Sequence, residues 1–372
     1  MDLTLDSIQE LIQENARRFL ATELNSEKIR DIEASPDGFS RPLWDEITGL
    51  GWTGASLPER YGGGGRGILD LCVLAEEMGR AVASTPLVVS AGLASAMLRS
   101  VPASPLTEEL LIKLASKGEV ISVALVEADG RNERSVPSLQ LAIAGEDLKV
   151  TGEKVLVPYA SVAKEIITSA RNADGEFVLV VVSGESDGLE MSRHKTIGGE
   201  PLFHLRFQNV AIPRDRILAQ GERAVAALNA GLEVAAVLAV AEAVGLSEGI
   251  IDLTTGHARL RQQFGKAIGS FQAVSHPCAD MRIQADACRL LALEAACLID
   301  QGQPAALEVA STKAFANDAV ARIASDAQRL HGAIGYSNEY DLQLYSRKVR
   351  AFCLTHGETG DELERAAVAL GL

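Results

Sequence analysis

Aromatic residues are scarce, at 4% of 372 residues, while apolar residues reach 47%. Few rings among many Ala, Leu and Val argue against an all-β sandwich and for a core built mainly from helices. The five cysteines, Cys72, Cys278, Cys288, Cys297 and Cys353, include no C-x-x-C pair, so neither a redox dithiol nor a cysteine-rich metal site is expected. Basic charge is also short: 35 Lys and Arg stand against 50 Asp and Glu, a net charge of -15. Such a surface repels phosphate backbones and acidic lipids, which makes nucleic acid an unsuitable partner. No uncharged apolar run reaches the ~18 residues that span a bilayer, because Glu233 and Glu242 interrupt the longest one. The opening "MDLTLDSIQE" lacks the basic and apolar regions of a secretory signal. A cytoplasmic chain without membrane insertion is the expectation.

Three textures follow one another. Over residues 1–117 apolar positions recur at three and four, as in Ile8, Leu11 and Ile12, with Pro and Gly clustered between segments; this predicts an all-α domain. Over 118–218 the runs "EVISVALVE", "LQLAIAG", "LKVTGEKVLV", "EIITSAR", "FVLVVVS", "LEMSRHKTI" and "LFHLRFQNVAI" are rich in β-formers and separated by turn residues, which predicts a small antiparallel barrel or sandwich. Over 219–372 the helical period returns in four segments, the last being "EYDLQLYSRKVRAFCL", long enough for a bundle of antiparallel helices. The fold class is therefore α+β.

The stretch "YGGGGRGILDL" places Gly62, Gly64 and Gly67 in the pattern G-x-G-x-x-G. A dinucleotide turn needs a strand before it and an acidic residue about twenty positions after it. Here "GWTGASLPER" precedes and "TPLVVS" follows, so the glycines read as a turn before a helix starting at Leu69.

Two later segments carry more. "RLRQQFGKAIGSFQAVSHPCADM" (259–281) and "QRLHGAIGYSNEYDLQLYSRKVRA" (328–351) resemble the C-terminal signatures of the acyl-CoA dehydrogenases, and "GWTGASLPERYGG" (51–63) with "AEEMGR" (75–80) resembles their N-terminal region. The order of textures matches that family along essentially the whole chain: an N-terminal helical domain, a middle β-barrel domain and a C-terminal four-helix bundle. The resemblance implies FAD held non-covalently between subunits and α,β-desaturation of an acyl-CoA thioester. It also implies a Glu as base and an electron-transfer flavoprotein as electron acceptor. By the family pattern Arg261, Gln263, Phe264 and Gln272 would reach the pyrophosphate and adenosine of FAD, and Gln328, Gly332 and Gly335 the same diphosphate region, mostly on a neighbouring subunit's cofactor. A permanently charged guanidinium and amides freed by glycine suit a diphosphate. Taken alone, Arg261 could equally be a helix-end cation and Gln328 a solvated surface residue. Ala333 stands where the family usually has a second glycine, and His331 reads as structural.

The other half of the family's flavin site departs from pattern. A Thr and a Pro expected after the first strand are Val126 and Ala128, the aromatic against the flavin ring is Leu156, and the hydroxyl that bonds N5 is Pro158. Proline offers neither hydroxyl nor N–H. The two places where the family carries its base fall on His356 and Ala235. Three carboxylates stand nearby as alternatives for one base: Glu358, Glu242 and Glu233. Groups that reach a neighbour's cofactor are kept and groups that cradle the chain's own are lost, which resembles one subunit of a heteromeric acyl-CoA dehydrogenase. Two other readings stay open: a self-sufficient homo-oligomer with an atypical base, and a non-redox acyl-CoA-binding or scaffold protein of the same fold.

Overall fold

The computed structural model describes residues 3–130, 133–144 and 147–372. The first third is helical: α1 (Ser7–Glu23), α2 (Ser26–Ala34), α3 (Arg41–Gly49), α4 (Ile68–Arg80), α5 (Ser95–Ser100) and α6 (Pro105–Lys117). Side-chain oxygens of Asp6, Asn25, Ser40 and Ser104 accept from first-turn amides and so start four of these helices. Gly62 has φ +79 and closes a short turn as expected; α4 begins one residue before Leu69. The apolar run Leu87–Ala94 forms a π-helix leading into α5, a feature that simple periodicity does not separate from an α-helix.

The middle region is one eight-stranded sheet with strands β1 (Ile121–Ala124), β2 (Gln140–Ala144), β3 (Asp147–Pro158), β4 (Glu165–Arg171), β5 (Phe177–Ser183), β6 (Leu189–Arg193), β7 (Leu202–Ile212) and β8 (Ile217–Gln220). The path is β6-β7-β3-β2-β4-β5-β8, with β1 beside β4. Most pairs are antiparallel, but β1 and β2 both run parallel to β4, so the sheet is mixed. The boundary expected between 218 and 219 falls inside β8, which pairs with β5 before the next helix starts. Inside the sheet Lys154 is fully buried, where it donates to Ser169 Oγ at 2.8 Å and to the Leu125 carbonyl at 3.3 Å, and pairs with Glu127. A buried ammonium tolerates that place only with such partners.

The last part holds α7 (Glu222–Leu260), a hairpin of β9 (Gln262–Gln263) and β10 (Lys266–Ala267), then α8 (Gln272–Asp300), α9 (Ala306–His331), α10 (Leu342–Phe352) and α11 (Thr359–Ala369). The sequence suggested four long segments; the fourth is only 11 residues, and α11 adds a fifth helix. α7 is the central strut. Its most apolar window has a hydropathy of 2.0, enough for a membrane span by composition, yet 72% of that window is buried in the fold, which marks it as a core helix.

Helix α4 crosses α7 at very short range because each supplies a glycine. A Cβ on Gly79 would fall 1.9 Å from the Glu242 carbonyl oxygen, and one on Gly245 would fall 1.8 Å from that of Glu76. Around this crossing Glu248 binds Arg80, Arg282 and Arg289; burial alone would raise its carboxyl, but the bonds from Arg282 and Arg289 hold it at about 2. Gly245→Ala should therefore force two backbones apart at a cost of about 2 kcal/mol. The check is thermal unfolding, in which a variant as stable as the parent would refute the close contact.

Candidate functional site

α7 ends at Arg261, whose amide donates to the His257 carbonyl at 2.9 Å, and the chain turns back through Phe264 (φ +54) and Gly265 (φ +80). Arg261, Gln263 and Gln272 are exposed, and the Phe264 ring is 92% exposed. Phe264 meets Phe271 edge-on at 6.0 Å, and Lys266 Nζ lies 4.3 Å above the Phe271 ring. The hairpin is thus braced at its base while its polar and aromatic tip projects outward. A guanidinium with no ion pair among the described residues, an amide and a bare aromatic ring make a surface suited to an anionic, ring-bearing ligand.

Beside it, α9 ends in a tight turn. Gly332 caps the helix at φ +67, ψ -143, a conformation that side chains resist, and space above its Cα is open. Gly335 is packed beneath, where a Cβ would lie 3.0 Å from the Gln328 carbonyl and from His331 Cβ. Gln328 is buried, not solvated, and accepts from Arg350 at 3.4 Å. Ala333 is exposed on the same turn. The His331 ring contacts the Ala327 carbonyl at 2.8 Å and stacks on His257 at 4.5 Å, with its Nε2 buried and without a hydrogen-bond partner among the described residues. That stack joins the ends of α7 and α9, so residues 261–272 and 328–335 form one patch. His257 was not singled out from sequence; a histidine four residues before Arg261 was the only available hint.

The three carboxylates do not converge. Glu358 is the exposed N-cap residue of α11 and makes no side-chain cap bond. Glu233 is half-buried on α7, and burial raises its carboxyl against the opposing pull of Arg365 and Arg134. It sits about 200° around the helix from Ala235. Glu242 lies about two turns beyond Ala235 on the same face. Its carboxyl makes no hydrogen bond or ion pair among the described residues, and burial lifts it to about 7 while Lys348 pulls it down.

His356 occupies a left-handed position, φ +57, followed by Gly357 at φ +114. The turn is fastened from α9: Lys313 Nζ donates to the Gly357 carbonyl at 2.9 Å and the Phe352 carbonyl at 3.3 Å, and Asn317 donates to Gly357 at 3.1 Å. Burial pushes the His356 imidazole down to about 4, so it is neutral at pH 7, and its Nδ1 has no hydrogen-bond partner among the described residues. The neutral ring is the form that accepts a proton, but no hydrogen bond among the described residues orients its Nδ1 as a base. Sequence reasoning missed Lys313 and Asn317, whose i, i+4 spacing reads as an ordinary helix face.

Across the sheet edge, Leu156 is in left-handed conformation and 46% exposed, and the Pro158 carbonyl accepts from Ser122 Oγ at 2.5 Å. Neither side chain can offer a hydrogen bond to a flavin ring nitrogen. The residues on the helical side fit a nucleotide diphosphate; those on the sheet side do not fit the reactive ring.

Two family models match: the N-terminal domain of acyl-CoA dehydrogenases over residues 6–118 and their C-terminal domain over residues 223–370. A cyclohex-1-ene-1-carbonyl-CoA dehydrogenase from Geobacter metallireducens is 30% identical, with 96% of this chain and 93% of that protein covered. A probable acyl-CoA dehydrogenase, YngJ, from Bacillus subtilis is 28% identical over 99% of both chains. Among solved structures, a variant of the steroid ACAD Tcur3481-Tcur3483 superposes with a TM-score of 0.89 at 28% identity, over 99% of each chain.

Proposed function

The chain belongs to the acyl-CoA dehydrogenase family of flavoprotein oxidoreductases, and from that premise we propose that it works as the subunit that completes the FAD site of a related chain. The observation that carries this reading is the outward-projecting tip of Arg261, Gln263 and Phe264, whose polar side chains make no ion pair or hydrogen bond among the described residues, set against Leu156 and Pro158 on the sheet side. Arg261, Gln263, Phe264 and Gln272 would hold the diphosphate and adenosine of the partner's FAD, and the Gly332 turn would bring backbone amides to the same phosphates. When bound, the flavin supplies hydride acceptance from the β-carbon of an acyl-CoA thioester. This chain orients and shields it. An electron-transfer flavoprotein is the proposed electron acceptor of the assembly.

Purification decides the matter. The chain alone should be colourless and should not dehydrogenate an acyl-CoA with an artificial electron acceptor; co-expressed with a flavin-binding homologue it should yield a yellow complex with fewer flavins than chains. Turnover by the isolated chain would end the reading. The half-buried Glu233, with its raised carboxyl, favours a second one, a self-sufficient enzyme, in which Glu233→Gln abolishes that turnover and leaves flavin absorbance intact.

A further inference from the structure

Beyond the flavin reading and independent of it, we infer that the cleft bounded by the N-terminal segment and by α1, α4, α7 and α8 binds a small uncharged ring compound, of one or two fused rings. The cleft has a volume of about 220 Å³. An apolar cavity of roughly 150 Å³ already admits benzene. Small side chains on three facing helices make the room: Cys72 on α4, Ala241 on α7 and Ala292 on α8, all buried. Val73, Val244 and Leu293 complete an apolar floor. The mouth lies where Leu290 is 52% exposed and Gln13 is half-buried, with Leu3 and Leu5 along one side. Val244 stands about 180° around α7 from Ala235, and Ala241 about 120°. The cleft is therefore turned away from the helix face that carries Ala235 and Glu242.

The charged groups at the edge of the cleft are Glu76 and Arg289, and they are engaged with one another and with their neighbours. Arg289 donates to the two Glu76 oxygens at 3.0 and 2.9 Å, to Glu248 at 2.6 Å and to Asp286 at 2.9 Å. A charged ligand would have to compete with those bonds, and its charge would lose water against an apolar floor. Water itself is poorly held there, because it needs about two to four polar partners and the floor provides only the weakly bonding Cys72 thiol. Poorly held water is released with a gain in affinity when an apolar group takes its place. Gln13 makes no side-chain hydrogen bond among the described residues, so its amide can meet a single polar atom of the ligand, such as an indole N–H.

The test uses the purified full chain, with indole as the probe and calorimetric titration as the readout. Indole should bind saturably at a single site per chain, and benzoate, a charged ring of similar size, at least about tenfold more weakly. Ala292→Leu fills the floor from α8 and should weaken indole binding at least about tenfold while the circular dichroism stays native. Should that variant fail to fold, Leu290→Trp, which sets a larger ring at the half-exposed mouth, carries the same expectation. Absence of saturable indole binding overturns the proposal. So does parental affinity in the folded variant, or benzoate binding as tight as that of indole. Flavin content is a separate readout: a yellow, active assembly whose chain does not bind indole would keep the flavin reading and remove this site.

Discussion

Arg261→Ala should lower FAD retention by the assembled enzyme tenfold to a hundredfold, while leaving the folding of this chain unchanged. Hydrogen bonds to a charged group contribute roughly 1.5–3 kcal/mol, and each 1.4 kcal/mol is about a factor of ten. The structure explains why folding should be indifferent. Arg261 is exposed at the C-cap of α7, and its main chain makes the structural bonds, its amide to the His257 carbonyl and its carbonyl to the Ile268 amide, both at 2.9 Å. Arg261→Lys keeps the charge but loses the planar fork, so it should recover only part of the retention. The measurement is flavin absorbance per assembled complex after gel filtration, read beside the melting temperature of the chain. Full flavin retention by Arg261→Ala would place the diphosphate elsewhere.

Much of this architecture was legible because it is written in local period. The caps at Asp6, Asn25, Ser40 and Ser104 and the alternation in Leu202–Ile212 are signals carried by neighbours in sequence. β8 was missed because four residues cannot show a period, and their strand state comes from pairing with β5. The same distinction runs through the site. The segments at Arg261 and Gly332 are local and were picked out by their resemblance to the family's signatures, but the His257–His331 stack that unites them depends on how two helix ends meet. Arg134 gave no signal, since a charged residue in a loop is ordinarily solvated; its bond to Asn229 and its nearness to the charges of α11 come only from the fold. Glu242 was readable as a carboxyl in apolar company. Its lack of a bonded partner was not, because that depends on Lys348 being engaged elsewhere, with Ser84 at 3.0 Å and Glu200 at 3.6 Å.

That engagement gives Glu242 a strong dependence on pH. Burial raises its carboxyl from 4.5 to about 7, with Lys348 opposing and Glu200 adding to the rise. The buried Tyr159 hydroxyl, raised by burial and by the same two carboxylates, offers no compensating charge. A carboxyl whose folded value exceeds its unfolded one binds its proton more tightly in the native state. Its favourable contribution is complete below the unfolded value near 4.5, falls as pH rises, and is gone above about 7. Converted at 1.36 kcal/mol per unit, the loss is roughly 3 kcal/mol. Glu242→Gln keeps the shape and removes the titration. The variant should match the parent at pH 4 and exceed it by roughly 3 kcal/mol at pH 8, visible as a rise of several degrees in melting temperature. A stability gap that does not change with pH would show that the fold does not raise the Glu242 carboxyl. The same variant tests the chemistry of the face it shares with Ala235. Turnover of the assembled enzyme that survives the substitution removes Glu242 as a base, whereas greater stability together with lost turnover and intact flavin absorbance would assign it that role.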